Sequence, residues 1–320
     1  MLGLRACAAV FAVLGLAGVA AGQSIDPVSQ KAAVYMTYQS DVDEIGEKPF
    51  QSVDDINMAL TKLGGHNPDQ FTRGWISYSA LIASQDPEFR GAVRNAESYY
   101  GRDAVLSTFS NSTGFARTLD GGNSAVGAAL KATEQDLPRV YAAADRIWEQ
   151  GYTLQSFGWG KALIRDHAAR TSLLSTSQRH GHTASDAILA ALVTPSADVS
   201  ELEASVEVAA AVTGNIARAV RLPTFLAGNR VAAKPSGPSQ ERAANLIASV
   251  AAMRIIEAGE DHRSSIENIS LDPIMRMCIA REQGTLTNCV GSMRTESDIP
   301  QCISNHALRG IASCIATASR

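Results

Sequence analysis

Residues 272–314 read DPIMRMCIAREQGTLTNCVGSMRTESDIPQCISNHALRGIASC and contain every cysteine of the chain except Cys7. The four thiols, Cys278, Cys289, Cys302 and Cys314, are separated by ten, twelve and eleven residues. Zinc sites present close cysteine pairs, so this spacing argues against a metal cage. A reactive thiol needs a partner base. His306 is the nearest candidate, and it reads as a solvated histidine near the chain end. An even number of cysteines in one short segment instead reads as two disulfides, which form in oxidising compartments.

If residues 273–289 form one helix, Cys278 and Cys289 stand about 16 Å apart along its axis and only about 20° out of phase. Bonded cysteines keep their Cα atoms within about 7 Å, so these two cannot pair with each other. A second helical segment, residues 298–314, supplies partners. An antiparallel hairpin then pairs Cys289 with Cys302 near the turn and Cys278 with Cys314 at the open end. One feature opposes this register: on an ideal helix Cys302 and Cys314 lie about 120° out of phase. Gly284, Gly291 and Gly310 can also bend the path, so crossed and local pairings stay open.

Upstream, helical periodicity dominates. Val53, Ile56, Leu60 and Leu63 recur at spacings of three and four between Ser52, a helix cap, and Gly64, a stop. Phe71, Trp75, Tyr78 and Ile82 form the next apolar face, after Asn67-Pro68 and with Gln70 placed to complete a capping box. Asp26-Pro27, Asp86-Pro87 and Asp272-Pro273 repeat the Asx-Pro start. Pro138 is expected to break or kink a helix through residues 122–150, and residues 157–176 read as one amphipathic helix. The periodicity predicts an all-α protein, a bundle or array of about ten to twelve helices ending in a disulfide-stapled helical hairpin. No sequence repeat recurs at a fixed period.

The first residues carry one positive charge at Arg5, an apolar run, and small residues at Ala20 and Gly22, the layout of a cleavable signal peptide over residues 1–22. The predicted organisation continues with an aromatic-rich helical region (23–178), an Ala/Val-rich helical region (179–270) and the four-cysteine hairpin (271–320). No later run reaches spanning length, so no transmembrane segment is expected after cleavage. A formal charge of −4 and a pI near 5.9 provide no basic field for nucleic acid. The expected location is the periplasm or the exterior.

Catalytic signatures are sparse. The nucleophile elbow and both glycine-rich phosphate motifs are missing, and no cofactor is expected. Glu97 with Asp103 or Asp120 offers a carboxylate pair for glycan hydrolysis, beside Tyr99 and Tyr100, which can hold sugar rings. Each also has an ordinary structural role: a solvated helix residue, packing at a helix end, a cap. His180 and His182 make half a metal site, so no metal is expected; His167 reads as a hydrogen-bonded residue at a packed boundary and His66 as a turn residue. Phe71, Trp75, Tyr78 and Trp148 can either line an apolar-ligand carrier or form ordinary core. The balance favours a non-catalytic binding or scaffolding protein of the bacterial cell envelope, with an envelope protein or cell-wall glycan as partner. A peptidoglycan-acting enzyme and an apolar-ligand carrier are the alternatives.

Overall fold

In the computed structural model, residues 25–193 and 237–320 are described. The signal peptide expected over residues 1–22 and much of the expected Ala/Val-rich region lie outside them. The described chain is all-α, and its one extended pairing is an isolated bridge between Leu163 and Thr295.

Helix starts follow local chemistry. Asp26, Asn67, Asp86 and Asp272 each accept hydrogen bonds from backbone N–H groups of the first turn, and each is followed by a proline at the first helical position. They open α1 (Pro27–Glu47), α3 (Pro68–Ala83), α4 (Pro87–Tyr100) and α12 (Pro273–Ser292). Ser52 caps α2 (Val53–Gly64) through a reciprocal box with Asp55. The expected box at Asn67 does not form. Gln70 turns its amide outward, donating to the His182 carbonyl at 2.8 Å and accepting from the His182 N–H at 3.0 Å.

The centre is the pair α1 and α3. Gly74 lets their backbones approach, since a Cβ there would stand 3.1 Å from the Lys31 carbonyl oxygen and the Tyr35 nitrogen. Around them lie α5 (Arg102–Asn111), α6 (Phe115–Thr118), α7 (Gly122–Leu154), α8 (His167–His180), α9 (Asp186–Val193), α10 (Pro238–Ile255) and α11 (Arg263–Ile269).

Two expectations are corrected here: the break expected at Pro138 does not occur, and the helix expected over residues 157–176 is shorter. Helix α7 runs unbroken for 33 residues with Pro138 inside it. An interior proline costs about 3 kcal/mol, and burial of the adjoining Leu137 and Val140 against α1, α3 and the C-terminal helices offsets that cost. The helix expected over residues 157–176 begins only at His167, capped by Asp166. Residues 155–165 form turns instead, because Gly160 sits where a Cβ would meet the Leu154 carbonyl oxygen at 2.0 Å. Backbone bonds from Ile164 to Arg294 and from Ser297 to Gly160 then pin the turn to the C-terminal segment. The buried Arg170–Glu296 pair, in which Arg170 Nη2 reaches both carboxylate oxygens at 3.0 and 2.8 Å, fastens α8 to the same place. Helix α8 also runs through residue 178, where the sequence placed a change of region.

The cysteines pair as Cys278–Cys314 and Cys289–Cys302, with Cα separations of 5.8 and 5.7 Å. Helix α12 passes through Gly284 without a break, which rules out local pairing. The phase problem is resolved by the second strand of the hairpin. It begins as α13 (Ile299–Cys302), continues as a π-helix over Ile303–Gly310, and ends as α14 (Ile311–Ser319). An i→i+5 ladder holds more residues per turn than the 3.6 of an α-helix, so each residue advances by less than 100°. Over the eight residues Ile303–Gly310 this smaller advance reduces the phase difference between Cys302 and Cys314. Tertiary contacts hold the wide turn: the Tyr38 hydroxyl donates to the Ala307 carbonyl at 3.2 Å and Ser304 to the Ala144 carbonyl at 2.8 Å. His306 lies half-buried in this segment, its Nδ1 3.5 Å from a Glu282 carboxylate oxygen, and is not the freely solvated residue expected.

Candidate functional site

Helix α4 carries the most site-like surface. Asp86 starts it, accepting from the Phe89 N–H at 2.9 Å, and Gly101, at φ 85°, ends it. One side buries Phe89, Val93 and Ala96. Beside that seam, Ala92, Asn95, Tyr99 and Tyr100 face Thr118, Leu119 and Asp120 across an open depression of about 450 Å³. The opposite wall is held rigidly. Gly121, at φ 75°, brings the chain so close to α4 that a Cβ would meet the Phe89 nitrogen at 2.5 Å. Arg117, buried, donates to Glu241 at 2.9 Å, to Asn245 at 2.8 Å, and twice to Asn123 at 3.1 and 3.0 Å, clamping the turn to α10 and to the start of α7.

Tyr99 and Tyr100 are 81% and 63% exposed and meet edge to face at 4.6 Å. Exposed phenol rings of this kind offer apolar faces with a polar tip. Asp120 lines the same depression and does not cap α7, whose N-cap is Gly121 without any side-chain bond. Glu97 points elsewhere. Its carboxylate takes a hydrogen bond from Arg94 at 3.1 Å and from Arg102 at 2.9 Å, one on each oxygen. Asp103 is exposed in the first turn of α5 and does not line the depression. Of the residues singled out from sequence, the structure therefore brings together Tyr99, Tyr100 and Asp120, and separates them from Glu97 and Asp103.

Trp75 is wholly buried, as are Phe71 and Tyr78 at 1% and 3% exposure, with Tyr35 packed against both rings. Trp148 is half-buried beneath the Arg309 guanidinium, 5.7 Å from its ring centre. Phe71, Trp75 and Tyr78 are packed core, Trp148 lies half-buried outside it, and Trp75 presents no surface to a ligand.

The histidines do not assemble a metal centre. His180 is exposed at the end of α8, whereas His182 folds back and places Nε2 2.8 Å from the Thr61 carbonyl. Its ring lies 4.5 Å from that of His66, which is wedged among Tyr38, Phe71 and His182. His66 is 2% exposed, and neither ring nitrogen has a hydrogen-bond partner. Burial, and then the neighbouring His182, push its pKa down to about 3. His167 is half-buried at the first position of α8, with Nδ1 unpartnered. Among the described residues no group of three or more His, Cys, Asp or Glu side chains sits together to hold a metal ion, and no helix is long and apolar enough to cross a membrane.

No protein-family model matches the chain, and no curated protein or solved structure shows significant similarity to it. The fold and its surfaces are thus the only guides to class: a helical protein with a C-terminal hairpin closed by two disulfides.

Sequence reasoning missed Arg117, because nothing in the local pattern marks a buried arginine two of whose three partners, Glu241 and Asn245, lie more than a hundred residues away. It also missed the cleft on the other side of α4, whose arginines look like ordinary surface charges until α10 packs beside them.

Proposed function

We propose that the protein is an exported, non-catalytic binding protein of the bacterial cell envelope, and that the depression of Tyr99, Tyr100, Asn95, Thr118 and Asp120 is its contact surface for cell-wall glycan. The observation that carries this reading is the division of the acidic residues. Hydrolysis of a glycosidic bond needs two carboxyl groups facing each other across it. Here Asp120 stands beside the exposed tyrosines, while Glu97 is held by two arginines and Asp103 lies off the depression. Aromatic faces beside an amide, a hydroxyl and a carboxylate suit sugar binding without cleavage. Two disulfides in the C-terminal hairpin fit an oxidising compartment outside the cytoplasm.

The test is co-sedimentation with isolated cell-wall sacculi. The wild type is expected to pellet, and the double variant Tyr99→Ala/Tyr100→Ala to remain soluble while keeping its stability within about 0.5 kcal/mol, as befits exposed positions. Equal pelleting of the two proteins would remove the depression as the contact surface. Absence of pelleting in both would direct the search to a protein partner in the envelope.

A further inference from the structure

A second cleft, of about 390 Å³, lies between α4 and the end of α10. Arg90 and Arg94, one turn apart on α4, and Arg254, in the last turn of α10, line it together with Asp26, Ser84 and residues 257–259. Arg90 donates through Nε and Nη2 to the Ser84 carbonyl at 3.3 and 3.1 Å, and Arg254 through Nη1 to the Ser84 hydroxyl at 3.1 Å. The Nε of Arg254 is buried without a hydrogen-bond partner; the nearest carboxylate oxygen, on Asp26, is 3.9 Å away. Asp26 already spends its carboxylate capping α1. A guanidinium has five N–H donors, so Arg90 and Arg254 keep donors that no described residue uses.

Glu257 lines the cleft with its side chain paired to Arg94. Helix α10 ends in a Schellman arrangement, with Ala258 N–H bonded to the Met253 carbonyl and Glu257 N–H to the Arg254 carbonyl, both at 2.9 Å. The left-handed position of this motif belongs to glycine, and here Glu257 occupies it at φ 55°, the one non-glycine residue with positive φ among those described. Its side chain is 80% exposed and buries nothing, yet it sets a carboxylate oxygen 2.9 Å from Arg94 Nη2. A strained residue that survives without contributing to the core points to a function for its side chain.

We infer that this cleft binds a small molecule bearing carboxylate or phosphate groups, and that Glu257 is a built-in stand-in for the ligand that holds Arg94 until the ligand displaces it. The planar guanidinium fork matches both oxyanions. With Glu97 also bonded to Arg94, three guanidiniums face three carboxylates when Glu257 is in place, and displacement of Glu257 leaves three facing two. The inference is independent of the glycan reading, since the two surfaces share only helix α4.

Isothermal titration of the purified, oxidised chain with citrate and, separately, with inorganic phosphate tests it. Glu257→Gly removes the competing carboxylate and relieves the strain, so its affinity for the preferred anion should rise by about three- to five-fold, and its melting temperature should not fall. Arg254→Ala, and Arg254→Lys as a variant that keeps the charge but loses the fork, should each weaken binding by at least about ten-fold, with near-UV circular dichroism unchanged. A response to citrate alone identifies a polycarboxylate ligand, and a response to phosphate alone a phosphorylated one. If a folded Glu257→Gly protein takes up neither anion at millimolar concentration, or if Arg254→Lys binds as well as wild type, the inference is wrong.

Discussion

Acidification should destabilise this protein through one residue, His66. Its ring lies among Tyr38, Phe71 and His182 with no well-formed hydrogen bond, and burial holds its pKa near 3 against 6.5 for a free histidine, a weak contact with the Lys62 backbone opposing the shift. A depressed histidine contributes stability that is complete above the unfolded pKa and is lost as pH falls from about 6.5 toward 3, because the unfolded chain takes up a proton that the native ring refuses. Integrated between pH 7 and pH 5, the loss is about 2 kcal/mol. Burial raises the pKa of Asp41 and Asp136 above their ordinary 3.8, so these carboxyls act in the opposite direction, binding protons more readily in the native state. Comparison with His66→Phe cancels them. The phenyl ring fits the same aromatic slot and cannot titrate. Urea unfolding of both proteins at pH 7 and pH 5 should show the wild type losing about 2 kcal/mol more than the variant. Equal losses would refute the assignment and mean that His66 finds a proton partner in the native state.

Further expectations concern the staple and the core. The loop of the inner disulfide is nested within that of the outer, with separations of 13 and 36 residues. On chain-entropy grounds, replacing Cys278 and Cys314 by alanine should cost about 3.4 kcal/mol and replacing Cys289 and Cys302 about 2.5 kcal/mol, each with the other bridge intact; the reverse order in urea unfolding would contradict that account. Gly74→Val should cost about 1–3 kcal/mol by forcing α1 away from α3, and thermal unfolding at wild-type stability would show that the close approach is not required.

Helix starts were legible because their causes are local. The four Asx-Pro pairs and Ser52 satisfy first-turn N–H groups wherever they occur, and each opens a helix. Axial spacing excluded a Cys278–Cys289 bond and offered the observed pairing, but left crossed and local pairings open; the π-helix was not legible, although the 120° phase mismatch between Cys302 and Cys314 on an ideal α-helix was a clue to it. The turn at residues 155–165 was misread because Leu163, Ile164 and Leu174 keep helical spacing, while the backbone at Gly160 is set by contact with Leu154. His66 and Arg117 were opaque for the same reason as Pro138. Their surroundings come from distant segments, so a turn histidine becomes a buried one, a surface-type charge becomes a clamp, and a helix breaker is carried through by packing. At the candidate site, the clustering of Tyr99 and Tyr100 was visible in the sequence. The separation of Glu97 from Asp120 was not, because Glu97 is captured by Arg102 from the following helix.

The proposed role for the Tyr99–Tyr100 surface is to hold cell-wall glycan without cutting it. The most direct measurement is mass spectrometry of the soluble fraction after the purified protein is incubated with sacculi to which it co-sediments. Bound protein and no released glycan fragments are expected, with wild type and Glu97→Gln alike. Fragments released by the wild type and lost in Glu97→Gln would contradict it and make the protein a glycan-cleaving enzyme.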